Sequence, residues 1–149
     1  MMTYSKYREL VSDLVEEGKS TGTNQTEALS QYSLLNDKRM QRLDKKGVLT
    51  ETTIEKIKSF DKPVEWIVLT ESWCGDAAQV LPYVNKIASL NENIDLKIAL
   101  RDEHLDLIDQ YLTNGGRAIP KLIMRDKLTK EVLNTFGPRP SKATKMVEE

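Results

Sequence analysis

The chain has 149 residues, with 22 basic and 23 acidic side chains and a formal net charge of −1 at pH 7. This length suits one domain with a single core, and the balanced charge argues against nucleic acid or an anionic membrane as a partner. The apolar runs are short and the N-terminus lacks a signal-peptide core, so we expect a soluble, cytoplasmic protein. One cysteine and one histidine are too few for an internal disulfide, a zinc site or an iron–sulfur cluster, so we expect no metal and no cofactor.

Three segments near the N-terminus carry apolar residues at helical spacing. The first covers residues 4–17. Asn24 predicts the N-cap of a second helix, which ends before Gly47, and Thr52 predicts the N-cap of a third, which reaches residue 60. The second helix has an interrupted apolar stripe made of Leu29, Tyr32, Leu35, Met40 and Leu43. We expect these helices to pack on a sheet, with a partner-binding or substrate-covering role as the alternative.

The same second helix carries a cationic cluster near its end. Its members are Lys38, Arg39, Arg42, Lys45 and Lys46. No aromatic residues are interleaved with them, and the chain as a whole is not basic, so we interpret the cluster as a solvated helix end and not a nucleic-acid site.

The rest of the chain predicts two strands joined by a helix, and then a hairpin. Residues 64–70 are apolar on both faces, as in a buried central strand. Residues 76–90 keep helical spacing around Pro82, and residues 94–100 alternate as a second strand. Asp102 predicts the cap of a further helix that ends at residues 114–116.

Two more strands follow, over residues 121–124 and 131–136, with a turn at residues 126–127 between them. Residues 137–140 should end the sheet, and residues 141–149 predict a short final helix. Strands joined through a helix run parallel, whereas a hairpin is antiparallel, so we expect a four-stranded mixed sheet flanked by helices.

The only cysteine, Cys74, lies in Trp73-Cys74-Gly75, at the turn between the first strand and its helix. A helix N-terminus favours negative charge, which biases a thiol towards the nucleophilic thiolate. This tripeptide, the helix proline Pro82 and the segment over residues 116–120 together resemble the thioredoxin family. The spacing from Cys74 to Pro120 is close to that of the family.

The resemblance implies a thioredoxin-like α/β fold in residues 63–149, with residues 1–62 as an N-terminal helical extension packed on its core. It also implies a cis peptide bond before Pro120, lying against the nucleophilic cysteine. In the family, backbone next to this proline receives an extended substrate strand. We therefore take Trp73, Gly75, Ala77, Arg117, Ile119 and Pro120 as candidate substrate-binding residues.

Four positions depart from the family pattern. Ala77 replaces the resolving cysteine, and Asp76 stands where proline is usual. Val68 stands where many members bury a carboxylate, and Lys121 replaces a polar residue after the cis-proline. These departures argue against a dithiol reductase, and they leave Cys74 and Asp76 as the candidate catalytic residues.

Two residues have alternative readings. Asp76 either assists proton transfer or caps the helix, and its charge opposes a thiolate two residues away. Arg117 either attracts the carboxylate of a small thiol or is a solvated loop side chain. The sign of the net pKa shift at Cys74 is open at this stage.

The first functional hypothesis is monothiol thiol–disulfide exchange through Cys74, with a low-molecular-weight thiol, client protein thiols or both as partners. The second is a redox-inactive binding or adaptor module with the peptide groove near Pro120. The third is a peroxide-sensing thiol that forms sulfenic acid. The sequence names neither the small thiol nor the oligomeric state.

Overall fold

The computed structural model describes residues 1–137, so the predicted final helix over residues 141–149 lies outside the described part. The elements in chain order are α1 (Tyr4–Glu16), α2 (Glu27–Lys46), α3 (Glu51–Lys58), β1 (Val64–Thr70), α4 (Gly75–Ser89), β2 (Ile94–Leu100), a 3-10 turn (Arg101–Glu103), α5 (Leu105–Ile108), β3 (Lys121–Asp126) and β4 (Val132–Phe136). In this part of the chain, no helix combines the length and apolar character needed to cross a membrane.

The four strands form one mixed sheet in the order β2-β1-β3-β4. Strand β1 pairs in parallel with β2, from Val64 opposite Ile94 to Thr70 opposite Leu100. It pairs antiparallel with β3, and β3 pairs antiparallel with β4. The predicted mixed α/β sheet is thereby confirmed, and every residue of β1 is buried, as its apolar sequence predicts.

Alternate residues of β1 enter two separate apolar clusters. Trp66 and Val68 pack with residues of α1 to α4, and Ile67 and Leu69 pack with Ile108 of α5 and with residues of β2 and β3. One face of the sheet is therefore covered by four helices and the other by one short helix.

The first two helices are tied to each other and to the sheet. Arg8 of α1 pairs with Asp37 of α2 at 2.8 Å and with Asp44 at 3.2 Å. Ahead of α1, Met2 exchanges two backbone hydrogen bonds with Ile98, of 2.8 and 2.7 Å, and so extends the sheet beyond β2. The edge strand β2 is thereby partly covered.

The buried face of α2 differs from the predicted apolar stripe. Tyr32 and Leu35 are 57% and 54% exposed. Met40 of the stripe is buried as predicted, but the other buried residues of α2 are Ser33, Asn36 and Asp37. The stripe was read from hydrophobicity alone, whereas this face packs on a polar turn that offers hydrogen bonds.

Three helix starts also differ from prediction. The N-caps of α2 and α3 are Thr26 and Thr50, which accept hydrogen bonds from residues three positions later, and not Asn24 and Thr52. Neighbouring polar residues compete for a cap, and the local pattern does not rank them. Asp102 does not cap a long helix but lies in the 3-10 turn, and α5 has only four residues.

A charged cluster covers the sheet face beside α5, at the far end of β1. Glu65 is fully buried. Its carboxylate binds Lys97 of β2 at 2.7 Å, Lys130 at 3.6 Å, and Arg125 of β3. Burial alone would raise the pKa of this carboxyl, but the hydrogen bonds from Lys97 and Arg125 lower it to about 2.

We expect this cluster to make stability depend on acid pH. A carboxyl whose pKa falls from 4.5 to about 2 on folding stabilises the native state fully above pH 4.5, and this contribution of about 3 kcal/mol is lost as the pH falls to 2. Urea unfolding of Glu65→Gln should show lower stability at pH 7 and a weaker acid dependence. Glu131→Gln, at an exposed position before β4, is the matched control and should behave as wild type.

Candidate thiol site

Cys74 is the N-cap residue of α4 and is half-buried at the end of β1. Its Sγ donates to the Ile119 carbonyl oxygen at 3.5 Å. The peptide bond between Ile119 and Pro120 is cis. The backbone N–H groups of Asp76 and Ala77, in the first turn of α4, lower the pKa of the thiol, although the sulfur makes no cap hydrogen bond with the helix. The thiol thus lies between a helix N-terminus and the backbone that precedes Pro120.

Burial raises the pKa of the Cys74 thiol above its usual value. The backbone amides of Ala77 and Asp76 act in the opposite direction, as does the charge of Arg101, while the carboxylate of Asp76 raises the pKa further. Desolvation therefore outweighs the helix N-terminus at this site. The net pKa shift of Cys74, whose direction the sequence left open, is therefore upward, and the resting form at neutral pH is the thiol.

The remaining candidate residues divide into those beside the thiol and one that is engaged elsewhere. The Trp73 ring is half-buried, and the guanidinium of Arg101 lies 5.1 Å from its centroid. Gly75 is exposed, whereas Ala77 is buried beneath the turn. Arg117 forms a two-bond pair with Asp109, at 2.7 and 3.0 Å. Its guanidinium is therefore already paired with a carboxylate of this chain.

Two of the departures from the family pattern are also placed by the structure. Val68 is buried in the apolar cluster under α4, on the face of β1 opposite Ile67. Lys121, directly after Pro120, is buried and donates to Thr113 Oγ1 at 2.8 Å. Val68 therefore contributes apolar packing beneath α4, and its side chain cannot accept a proton as a carboxylate at this position would.

The sequence reading missed a set of polar residues that hold the turn before Cys74. Ser72 is 1% exposed. Its hydroxyl lies 2.7 Å from Ser33 Oγ and accepts from Thr21 N–H at 2.9 Å, and its carbonyl accepts from Asn36 Nδ2 at 3.0 Å. The one signal in the sequence was the helical spacing of Ser33, Asn36 and Met40, which puts polar residues on a buried face.

A buried carboxyl, Glu71, lies in the same turn. Its Oε1 accepts from Thr21 Oγ1 at 2.8 Å and its Oε2 accepts from Asp102 N–H at 3.4 Å. Burial raises the pKa of Glu71, and these two hydrogen bonds act against that rise. Gly22 packs against this carboxyl and has a φ of 93°. A Cβ at position 22 would lie 2.9 Å from Glu71 Oε1. Only glycine fits this approach.

One member of the cationic cluster on α2 also approaches the site. Arg39 Nη1 would lie 3.9 Å from a Cβ at Gly75. The reading of this cluster as a solvated helix end therefore does not describe Arg39, which borders the thiol turn. Within residues 1–137 no group of histidine, cysteine or acidic side chains is placed to hold a metal ion.

We expect Asp76→Asn to make Cys74 more reactive. The Asp76 carboxylate raises the pKa of the thiol, and removing its charge should increase the rate of alkylation by iodoacetamide at pH 7 by roughly two- to threefold, a modest effect because the side chain is exposed and screened. The difference between variant and wild type should shrink at 1 M salt. A slower variant would contradict the prediction and would assign Asp76 a helping role in proton transfer.

The structure is similar to the crystal structure of an HIV epitope-scaffold, with 21% identity, a TM-score of 0.61, and coverage of 93% of this chain and 79% of that chain. It is equally similar to a protein of unknown function from Pseudomonas aeruginosa, with 22% identity, a TM-score of 0.61, and coverage of 94% and 79%. These two likenesses show the fold. No curated protein matches the sequence. A family model described as thioredoxin matches residues 22–149, and the chain therefore belongs to the thioredoxin family.

Proposed function

We propose that this protein carries out monothiol thiol–disulfide exchange through Cys74. One observation carries the proposal: the half-buried sulfur lies at the N-terminus of α4 and against the backbone before Pro120. The N-terminus of the helix favours negative charge on the sulfur when it forms, and the backbone beside Pro120 offers a place for a substrate chain. The single cysteine of the chain limits the exchange to one protein sulfur.

The exchange has two balanced steps. The Cys74 thiolate attacks the mixed disulfide between a client protein and a small thiol, forming a disulfide between Cys74 and the small thiol and releasing the client as a thiolate. A second small thiolate then attacks that disulfide, releasing a small-molecule disulfide and restoring the Cys74 thiolate. Ala77 offers no sulfur for an internal alternative. A reduced small-thiol pool, as in the cytoplasm, is the setting this reaction needs.

The raised pKa of Cys74 favours a second candidate, a redox-inactive binding module. A thiol that stays protonated at neutral pH reacts slowly, because the thiolate is the nucleophile. In this alternative the backbone near Ile119 and Pro120 binds an extended peptide, and Cys74 is a packing residue at the edge of that groove.

Intact-protein mass measurement separates these candidates. The reduced protein is incubated with bis(2-hydroxyethyl) disulfide, and in parallel with hydrogen peroxide alone, and each sample is compared with Cys74→Ser. Exchange predicts an adduct of one mercaptoethanol on the wild type, removed by adding free mercaptoethanol. An oxygen adduct with peroxide and no disulfide adduct would indicate the peroxide-sensing alternative.

Absence of any adduct would favour the binding module, provided that iodoacetamide at high pH alkylates Cys74 and so proves it accessible. Turnover is then measured with a peptide that carries a mercaptoethanol mixed disulfide, in the presence of free mercaptoethanol, which supplies the thiolate of the second step. The proposal requires release of the free peptide thiol in excess of one per protein, and it fails if release stops at one or if Cys74→Ser is equally active.

A further inference from the structure

The loop between α1 and α2 exchanges hydrogen bonds with the thiol turn, and each segment donates a backbone N–H to a side-chain hydroxyl of the other. Thr21 N–H donates to Ser72 Oγ at 2.9 Å, and Ser72 N–H donates to Thr21 Oγ1 at 2.8 Å. The Thr21 hydroxyl in turn donates to Glu71 at 2.8 Å. Both Thr21 and Ser72 are buried, at 3% and 1% exposed. One hydroxyl thus fixes two successive residues of the turn.

A second connection closes the loop around the turn. Thr23 N–H donates to Asp102 Oδ2 at 3.3 Å, and Asp102 N–H donates to Glu71 Oε2 at 3.4 Å. Asp102 also accepts from Arg101, whose guanidinium lies over Trp73. The ring of contacts therefore runs from the loop through the 3-10 turn to Trp73, the residue that precedes the thiol.

This ring controls the backbone on which the sulfur depends. The Cys74 N–H donates to the Glu71 carbonyl at 3.1 Å, and the Ala78 N–H donates to the Cys74 carbonyl at 3.2 Å. The turn at Glu71 and Ser72 therefore sets how Cys74 enters α4. The sulfur keeps its half-buried place and its contact with the Ile119 carbonyl oxygen only if that entry is maintained, since hydrogen bonds weaken steeply with angle.

We propose that Thr21 is a positioning residue for Cys74, which holds the Glu71–Ser72 turn so that the sulfur stays half-buried against the Ile119 carbonyl oxygen. The inference rests on the proposed function in assigning the chemistry to Cys74, but it concerns the sulfur itself and not the substrate. It also makes part of residues 1–62, predicted as an extension, a component of the thiol site.

Several charged or titratable groups face the sulfur or the turn from the surrounding elements, and all remain unchanged in the test. They are Tyr7 of α1, Arg39 of α2, Glu71 of the turn, Asp76 of α4, and Arg101 and Asp102 of the 3-10 turn.

The test compares Thr21→Val, which keeps the shape of the side chain and removes the hydroxyl, with Thr21→Ser, which keeps the hydroxyl. Thr23→Val is the matched control, because Thr23 is exposed and contacts Asp102 through its backbone alone. The second-order rate of Cys74 alkylation by iodoacetamide is measured from pH 6 to pH 11, together with unfolding in urea. Alkylation reads the thiol without any disulfide, so failure of exchange activity does not affect this readout.

We expect Thr21→Val to lower the pH midpoint of alkylation and to raise the rate at pH 7 about three- to tenfold, because burial raises the pKa of this thiol and a loosened turn exposes the sulfur. Thr21→Ser and Thr23→Val should keep the wild-type profile. A Thr21→Val protein that is less stable but has an unchanged or higher midpoint would overturn the proposal, since Thr21 would then be structural only. If Thr21→Val does not fold, Ser33→Ala serves as the test. It removes one contact of 2.7 Å to Ser72 Oγ and should lower the midpoint by a smaller amount, and an unchanged midpoint there would overturn the proposal.

Discussion

Ala77→Cys should convert this protein from one that cannot reduce a protein disulfide into one that can. We expect the wild type not to accelerate the reduction of insulin by dithiothreitol. The mixed disulfide that it forms with insulin has no second protein thiol to resolve it. Ala77 lies three positions beyond Cys74 in the first turn of α4, and residues three apart share a helix face. The variant should form an internal disulfide, measured as the loss of two hydrogens in the intact mass.

The gain in turnover should be limited by the surroundings of the new thiol. Position 77 is 1% exposed, and the neighbouring apolar cluster includes Val68. Burial raises the pKa of a thiol, and no carboxylate at position 68 accepts its proton. We therefore expect an insulin-reduction rate well above that of the wild type and below that of a protein with a buried carboxylate there.

Gln79→Cys is the control for this experiment, because it adds a second thiol at an exposed position of α4 that is not on the Cys74 face. It should form no internal disulfide and gain no insulin reduction. If Ala77→Cys forms the internal bond yet shows no turnover, the site has lost more than a sulfur, and the binding-module candidate takes precedence.

The second large effect is expected at Gly137, which follows β4. A Cβ at this position would lie 2.1 Å from the Pro120 carbonyl oxygen, and its φ is 113°. A backbone oxygen cannot move aside as a flexible side chain can. We expect Gly137→Ala to lower the free energy of unfolding in urea by about 3 kcal/mol or more, from overpacking together with backbone strain. Alkylation of Cys74 should also change, since Pro120 follows the residue that contacts its sulfur.

Gly115→Ala separates strain from steric clash. Gly115 also has a positive φ, of 80°, but a Cβ there would meet nothing within 4 Å. The free energy of unfolding of this variant should fall by only about 1 kcal/mol, because an L-residue is strained at positive φ. If the free energy of unfolding falls equally in Gly137→Ala and Gly115→Ala, the short distance between residue 137 and Pro120 does not constrain the side chain at position 137.

The strands were predictable because each is a short segment with a local apolar or alternating pattern. The bounds of β1 and β2 match the apolar run at residues 64–70 and the alternating segment at residues 94–100, and the hairpin of β3 and β4 has the predicted order, although β3 extends to Asp126, into the predicted turn. The placement of Cys74 at the start of α4 followed from the junction of a strand and a helical pattern. These features depend on neighbours in the sequence.

The features that were not predicted depend on distant partners. Ser33 and Asn36 are buried because the turn at Ser72 supplies hydrogen bonds, and nothing near them in the sequence indicates that turn. Arg117 was a candidate for binding a carboxylate until the structure placed Asp109 beside it. The pKa of Cys74 depends on how deeply the sulfur is buried, which a sequence does not give.

The hydrogen bonds that hold the thiol turn also determine when the turn can form during folding. Thr21 and Ser72 are 51 positions apart, and Asn36 and Ser72 are 36 apart. Contacts of such long range require loop closure, whose entropy must be lost before the contacts contribute, so they tend to form late. The pairing of β1 with β3 spans a similar range, from Leu69 opposite Lys121 to Val64 opposite Asp126, so we infer that the turn becomes ordered with the sheet and not before it. A chain that is still folding then carries its cysteine on an unformed turn, without the burial that raises the pKa of the native thiol, and it is more open to unselective disulfide exchange until the N-terminal loop has docked.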